Sequence, residues 1–116
     1  MNTIKEKVDY LNEAILSGKA LEAFDKLYHD DVKMSENGRD WREGKQACRD
    51  FEVEFFGNIT ALHGAEVKNV AVGENVSMIE MFWDYEHKEW GRKTFTQVGV
   101  QEWQDGKIIK ETFYYG

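Results

Sequence analysis

The stretch from Val98 to Tyr115 constrains the fold more than any other part of the sequence, because it predicts an aromatic-rich β-hairpin. Two runs rich in β-branched and aromatic residues meet at Asp105-Gly106. This dipeptide readily adopts the positive φ angles that a two-residue type I′ turn requires. Any fold proposed for the chain must therefore bring these two strands together as an antiparallel pair.

Three helices are predicted before residue 58. Thr3 and Glu6 have the spacing of a capping box, in which both side chains bind backbone N–H groups at the start of a helix. A second helix is expected to end at His29, and a third is expected between Gly44 and Gly57. Apolar residues at helical spacing are expected on the buried faces: Ile4, Val8, Leu11, Ile15, Leu21, Phe24, Leu27, Ala47, Cys48, Phe51 and Phe55.

After residue 58 the hydrophobic pattern changes to the alternation typical of β-strands. Strands are predicted at 59–72, 76–86, 94–103 and 108–115, with a bend near Gly64 and a further short strand at 32–35. Helices followed by a run of strands are typical of an α+β protein whose helices pack on one face of a curved antiparallel sheet. The length of 116 residues fits one such domain, 1–116.

The composition limits the classes of partner. Acidic residues outnumber Lys and Arg by 22 to 15, which gives a formal net charge of −7. Because this charge repels a phosphate backbone and no cluster of basic residues offsets it, no nucleic-acid partner is predicted. No apolar run approaches the roughly 20 residues that cross a bilayer, and the first residues lack the apolar stretch of a signal peptide. Because Cys48 is the only cysteine, no internal disulfide can form. A cytoplasmic protein with no membrane partner is expected.

Four segments, in this order and spacing, resemble the SnoaL-like branch of the nuclear-transport-factor-2-like (NTF2-like) superfamily: Leu27–Val32, Gly44–Ala47, Trp103–Ile108 and Phe113–Tyr115. The resemblance covers nearly the whole chain. It implies a cone-shaped, cystatin-like fold in which a curved sheet wraps round a long helix and leaves an apolar cavity. It also implies a homodimer formed through the outer face of the sheet.

The resemblance does not extend to the best-known chemistry of the superfamily, that of ketosteroid isomerase. The catalytic Asp of that enzyme would stand at Asn37, and its two oxyanion-binding residues near Asn12 and at Gly99. None of the three has the required side chain, although Tyr10 or Glu36 would compensate if the alignment shifted by one or two residues. A standard ketosteroid isomerase is therefore not expected.

The epoxide hydrolases of the superfamily require an Asp-Arg-Asp arrangement in the cavity. The later strands supply only Asp84, Arg92 and Asp105, at a strand end, a loop and a turn. That reaction is not expected either. The acidic pair Asp30-Asp31 has no clustered His beside it, so no metal site is predicted.

Glu111 is the first candidate catalytic residue. By strand alternation it shares a face with Ile109, Phe113 and Tyr115, and by the resemblance this face points inward. A carboxyl group in an apolar cavity has a raised pKa, which suits acid–base catalysis near neutral pH. The alternative is a surface Glu paired with Lys or Arg. The neighbouring strand would turn Phe95, Gln97, Gly99, Gln101 and Trp103 inward, with Gln97 as a ligand-orienting group.

Four further residues are candidates for the site. His63 titrates in the range that suits proton transfer, although a lone His is more often structural. Glu80 is either a second carboxylate of the cavity or an interface residue, because both faces of its strand are apolar. Tyr28 and Trp41 are candidate lining residues at the cavity mouth.

Three functional hypotheses follow. The first is an enzyme without a cofactor, of the isomerase, cyclase or dehydratase type, that moves a proton on a small apolar carbonyl compound with Glu111 and His63. The second is a module that binds a small molecule without changing it. The third is a dimerisation module that uses Val98, Val100, Thr112 and Tyr114 on the outer face.

Overall fold

A computed structural model describes all 116 residues as three helices and one six-stranded sheet. The helices are α1 (Ile4–Leu16), α2 (Ala20–Leu27) and α3 (Lys45–Gly57), and none is long and apolar enough to cross a bilayer. The strands are β1 (Tyr28–Glu36), β2 (Arg39–Glu43), β3 (Ile59–Val72), β4 (Val76–His87), β5 (Gly91–Gln104) and β6 (Lys107–Tyr114). The predicted α+β class, with three helices on a curved sheet, is confirmed.

The sheet is mixed rather than wholly antiparallel, which corrects one detail of the prediction. Its strand order is β2-β1-β6-β5-β4-β3, and β1 runs parallel to β6. These two strands lie far apart in the chain, so no tight turn forces them to be antiparallel. The strand β2 was not predicted, because its five residues were read as the approach to α3.

The local signals at the two ends of the chain are confirmed. Thr3 and Glu6 form the predicted capping box at the start of α1. Asp105 and Gly106 have φ angles of 54° and 78°, as a type I′ turn requires, and they join β5 to β6. The C-terminal hairpin therefore has the predicted pairing.

Bulges curve the sheet around the helices. The pairing of β3 with β4 shifts register at three places, one of them between Leu62 and Gly64, where a bend was predicted. A bulge bends a strand and increases its local twist. The curved inner face packs against α1 and α2 through a buried core that includes Val8, Leu11 and Ile108. This curvature leaves space between the helices and the far part of the sheet.

Candidate functional site

A cavity of about 350 Å³ lies between the helices and the inner face of the sheet. It is lined by 24 residues, of which 17 are hydrophobic, and its size is at the lower end for small-molecule sites. Most of the chain's aromatic residues line it: Phe24, Tyr28, Phe51, Phe55, Phe56, Trp83, Tyr85, Trp90, Phe95, Phe113 and Tyr115. The few polar groups on this wall therefore determine what it can do chemically.

Glu111 reaches the cavity wall, as predicted, although β6 does not alternate regularly. The pairing of β5 with β6 skips Ile109, so this residue forms a bulge. As a result Ile108, rather than Ile109, is fully buried in the core, which corrects that part of the prediction. Beyond the bulge, Glu111 and Phe113 both line the cavity.

The carboxyl group of Glu111 is held by two buried hydrogen bonds. The Tyr28 hydroxyl donates to Oε1 at 2.6 Å, and the Gln101 side-chain amide donates to Oε2 at 2.8 Å. Glu111 is only 2% exposed. Each carboxyl oxygen thus has one protein donor, and the group is fixed on the wall of the cavity.

A chain of hydrogen bonds fixes the orientation of the Gln101 amide. The indole N–H of Trp103 donates to Ser77 Oγ at 2.9 Å, and the Ser77 hydroxyl donates to Gln101 Oε1 at 2.8 Å. Because an indole nitrogen can only donate, the Ser77 hydroxyl must direct its own hydrogen to Gln101. The NH₂ group of Gln101 is thereby turned towards Glu111.

The buried site changes the acid–base behaviour of its groups. Burial raises the pKa of Glu111 to about 7, while the hydrogen bonds from Tyr28 and Gln101 oppose this rise. Burial, followed by the negative charge of Glu111, also raises the pKa of the Tyr28 hydroxyl well above its usual value. Tyr28 therefore remains a hydrogen-bond donor, and Glu111 can take up or release a proton near neutral pH.

Glu52, on α3, is a second carboxyl group on the cavity wall that was not predicted. Burial, together with the negative charges of Glu111 and Glu36, raises its pKa to about 8, while the positive charge of Arg42 opposes this rise. The signal was present in the sequence, because Cys48, Phe51, Glu52 and Phe55 recur at the spacing of one helix face. Glu52 was overlooked because only the apolar members of that face were considered.

Glu36, at the end of β1, is the third carboxyl group of the cavity, and it is paired. Its Oε2 lies 2.6 Å from Nη1 of Arg42, on β2. The Arg42 guanidinium lies over the Phe51 ring, with its central carbon 3.7 Å from the ring centroid. This pair neutralises Glu36 at one end of the cavity.

Most of the predicted lining residues are where they were expected. Gln97, Phe95, Phe113, Tyr115 and Tyr28 all line the cavity. The prediction of their placement is confirmed, while their roles in binding a ligand remain predictions.

Gly99 also lines the cavity, with no room for a larger side chain. A Cβ atom built there would lie 2.9 Å from Gln101 Nε2 and 3.4 Å from the Phe113 ring. Such a distance to Nε2 is too short unless the Gln101 side chain moves, and that side chain is already held by Ser77 and Glu111. The glycine at 99 therefore leaves the space that Gln101 occupies when it donates its hydrogen bond to Glu111.

His63, the other residue of the acid–base hypothesis, lies outside the cavity that Glu111 lines. It stands on β3, within the bulge before Gly64, and its Nε2 atom is 3.1 Å from a carboxylate oxygen of Glu86. Its side chain is 38% exposed. The bulge shifts the register of β3 at this residue.

Glu80 and Trp41 also lie outside the cavity. Residues 79, 81, 83 and 85 of β4 line it, so Glu80 points to the opposite face, where it accepts a hydrogen bond from Asn69 at 2.8 Å. This decides between the two alternatives for Glu80 in favour of the outer face. Trp41 lies between Lys33 and Lys110, whose ammonium groups are 5.0 and 5.2 Å from the ring centroid.

Two other arrangements considered from the sequence do not lie in the cavity. Asp84 and Arg92 form an ion pair at 3.0 Å outside it, and Asp105 is in the β5–β6 turn. No three His, Cys, Asp or Glu side chains come together in the arrangement that a metal ion needs. The chemically distinctive groups of the fold are thus the carboxyl groups of the cavity.

Comparison with known proteins identifies relatives of the chain. Residues 2–115 match the family model of the SnoaL-like domain. A solved candidate SnoaL-like polyketide cyclase from Mesorhizobium loti is 28% identical, with a TM-score of 0.86 over 97% of this chain and 99% of that one. No curated protein sequence matches.

More distant solved structures share the fold. An NTF2-like protein of unknown function from Cytophaga hutchinsonii is 17% identical, with a TM-score of 0.79 over 98% of this chain and all of that one. An epoxide hydrolase from M. tuberculosis is 16% identical, with a TM-score of 0.72 over 96% of this chain and 80% of that one. At such identities the likeness establishes the architecture alone.

Proposed function

The chain belongs to the SnoaL-like domain family, and on that premise we propose that it binds a small, largely apolar carbonyl compound and transfers a proton on it. The reaction would be of the isomerase, cyclase or dehydratase type. The observation that carries this proposal is a buried carboxyl group, Glu111, fixed on the wall of an otherwise aromatic cavity.

Glu111 is the proposed acid–base group. In its ionised form it accepts a proton from the carbon next to the carbonyl, and the electron pair of the broken C–H bond moves to form an enolate. The protonated Glu111 then returns the proton to another atom of the same molecule, so that nothing else is consumed. Its pKa of about 7 suits both steps, since proton transfer is most effective when the pKa lies near the working pH.

Gln97 is proposed to bind the part of the ligand that lies away from Glu111. Gln101, the direct partner of Glu111, is four residues further along β5, which corresponds to about 13 Å at the rise of an extended strand. Phe95, Phe113 and Tyr115 line the cavity with Gln97 and would hold the apolar body. The ligand would therefore lie along β5 with its reacting carbon at the Glu111 end.

Hydrogen–deuterium exchange tests this proposal without knowledge of the natural substrate. Small cyclic and aryl ketones would be incubated in D₂O, and the loss of their α-proton signals followed by NMR. Wild-type protein is expected to accelerate exchange of at least one ketone, and Glu111→Gln to abolish the acceleration. His63→Gln and Glu80→Gln are the matched controls and should exchange at the wild-type rate. Equal exchange by Glu111→Gln and wild type would remove Glu111 from this role.

Non-catalytic binding is the second candidate, and one observation favours it. Both Glu111 oxygens already accept hydrogen bonds from the protein, and these bonds stabilise the ionised carboxylate and so weaken it as a base. In that case a ketone would raise the melting temperature and be recovered without deuterium. The exchange experiment therefore separates the two functions.

We further propose a homodimer formed through the outer face of the sheet. Met78 and Tyr114 are 44% and 50% exposed, although both are large and apolar in character. Val98 and Val100 lie on β5, between the strands of Met78 and Tyr114, and alternate away from the cavity. Thr112, on β6, also does not line the cavity, but it is already buried within the chain, at 5% exposed. Sedimentation would show a dimer at micromolar concentration, and Met78→Lys would produce a monomer with an intact melting transition.

A cytoplasmic location is also part of the proposal. The one cysteine, Cys48, lies on α3 and is buried against β1, and burial raises the pKa of its thiol to about 11. An unreactive, unpaired thiol suits a reducing compartment. Fractionation of cells that express the tagged full-length chain would test the location.

A further inference from the structure

The side chains on the cavity wall that can carry charge near neutral pH are all acidic. Glu36, Glu52 and Glu111 line it, whereas no Lys, Arg or His does. The ion pair with Arg42 accounts for Glu36 alone. Two carboxyl groups therefore face a common apolar space without a cationic partner.

Two polar groups of this space also lack hydrogen-bond partners in the protein. Asn12, on α1, lines the cavity and is 7% exposed, and its Oδ1 atom accepts no hydrogen bond. For Glu52, burial and nearby charges shift the pKa, and no hydrogen bond contributes to that shift. Buried polar groups are almost always paired. The Asn12 Oδ1 atom is an acceptor, and so is Glu52 once it is ionised, so a ligand group that pairs with both carries N–H or O–H donors.

The remaining wall suits a cation as well as an apolar body. Aromatic rings surround the space, among them Phe55, Tyr85 and Phe95, with neighbouring ring centroids 5.7 and 6.0 Å apart. The faces of such rings attract positive charge, and this attraction strengthens where water is excluded. The formal net charge of −7 also favours the approach of a cation over that of an anion.

We propose that the molecule bound in this cavity carries a protonated amine, which pairs with Glu52 and donates a hydrogen bond to Asn12. The ligand class is a small amphiphilic amine with an apolar or aromatic body. Its carbonyl group, facing Glu111, rests on the proposed function, whereas the amine does not. In such an amino-carbonyl compound the ammonium stabilises the enolate that forms when Glu111 removes the α-proton.

Binding of the ammonium is coupled to the protonation of Glu52. The charged groups that act on Glu52 are Glu111, Glu36 and Arg42, the first two raising its pKa and the last lowering it. With a pKa of about 8, Glu52 is mostly protonated at pH 7. An ammonium group beside Glu52 favours its ionised form, so binding of an amine releases the Glu52 proton into solution. At pH 9 Glu52 is already mostly ionised, and little proton is left to release.

Calorimetry with matched ligands tests the proposal. The probes are phenethylamine, its neutral analogue 2-phenylethanol and the anion 3-phenylpropionate, with cyclohexylamine and benzylamine as smaller amines. Titration at pH 7 in two buffers of different ionisation enthalpy gives the number of protons released. The amines are expected to bind about 30-fold more tightly than the alcohol, with release of up to one proton at pH 7 and almost none at pH 9.

The variant Glu52→Gln keeps the size of the side chain but cannot pair with an ammonium. It should lose the preference for amines and the proton release, while 2-phenylethanol binds as to wild type. Glu54→Gln, at an exposed position of the same helix, is the matched control and should leave both unchanged. Asn12→Ala should weaken amine binding more than alcohol binding.

Three results would overturn the proposal: alcohol binding as tight as amine binding, tighter binding of the anion, or an amine preference retained by Glu52→Gln. If none of the amines binds while neutral ketones raise the melting temperature, the amine is likewise excluded. Failure of the proposed function appears separately, as amine binding without α-proton exchange. The two inferences can therefore fail independently.

Discussion

Tyr28 and Glu111 are 83 positions apart in the chain and are joined by a buried hydrogen bond of 2.6 Å. Tyr28 directly follows α2, as its C-cap, and is the first residue of β1, while Glu111 belongs to β6, the last strand of the chain. The bond therefore connects the junction of α2 and β1 to β6, the strand that lies next to β1 in the sheet. The ring of Tyr28 also stacks on Phe24, with centroids 4.4 Å apart, which fixes the direction of its hydroxyl.

Replacing Tyr28 by Phe should destabilise the protein in a pH-dependent way. The variant removes a donor from Glu111, so the pKa of Glu111 should rise above about 7. At pH 8, where the wild-type carboxyl group is ionised, the loss should be about 1–3 kcal/mol, and it should be smaller at pH 5. Urea unfolding at both pH values measures this, with the exposed Tyr114→Phe as control. Equal losses at the two pH values would show that the hydroxyl does not act through the charge of Glu111.

Ser77→Ala should raise the pKa of Glu111, although the Ser77 side chain makes no hydrogen bond to it. The change leaves the Trp103 N–H and the Gln101 carbonyl oxygen without their buried partner, at a cost of about 1–3 kcal/mol. The Gln101 amide is then free to rotate, which weakens its bond to Glu111. Carbon-13 NMR titration of the Glu carboxyl groups should show a higher pKa for Glu111, and an unchanged titration would argue against a role for Ser77 in positioning.

Stability should fall as the pH rises from about 5 to 8. The folded protein holds protons on Glu52 and Glu111 up to pKa values of about 8 and 7, whereas in the unfolded chain both groups lose them near 4.5. Unfolding in this window therefore releases protons, and higher pH favours it. At about 1.4 kcal/mol per pKa unit, Glu52 alone contributes on the order of 3 kcal/mol.

The variant Glu52→Gln should flatten this pH dependence and be more stable than wild type at pH 8. Glu54→Gln should retain the wild-type slope. Thermal unfolding across this pH range provides the measurement. The lowered pKa values of Asp25 and Asp84 act only below this window and do not affect the comparison. A slope that Glu52→Gln leaves intact would mean that another group holds the proton.

Gly99→Ala should cost about 1–3 kcal/mol, because the added methyl group displaces Gln101 and presses on Phe113. Gly64→Ala is the matched control on β3, where a Cβ atom would make ordinary contacts at 3.7 and 4.0 Å. Chemical denaturation of both variants decides the comparison. If Gly99→Ala were as stable as Gly64→Ala, the Gln101 side chain would have room to move.

Local signals predicted most of the architecture, because each depends on residues close together in the chain. The capping box at Thr3, the type I′ turn at Asp105-Gly106 and the alternation along β5 act over a few residues and are all found. The inward direction of Glu111 was also predictable. The family resemblance indicated which face of the last strand points into the cavity, and strand alternation placed Glu111 on that face.

The other parts of the site depend on contacts between distant segments. The pairing of β3 shifts register at three places, and only the shift near Gly64 was predicted, so the face on which His63 lies could not be read from alternation. Arg42 reaches Glu36 only because β2 folds back on β1, and β2 is too short for a periodic signal. Gln101 is the partner of Glu111 because the two residues lie opposite each other in the register of β5 and β6.

The glycine at position 99 also bears on how this cavity could change in evolution. An acidic side chain there needs the space that Gln101 now fills, and without Gln101 the carboxyl group of Glu111 loses one of its two donors. A side chain at 99 and the Gln101 amide in its present position are therefore alternative occupants of one volume, so an acid at 99 fits this cavity only if position 101 also changes.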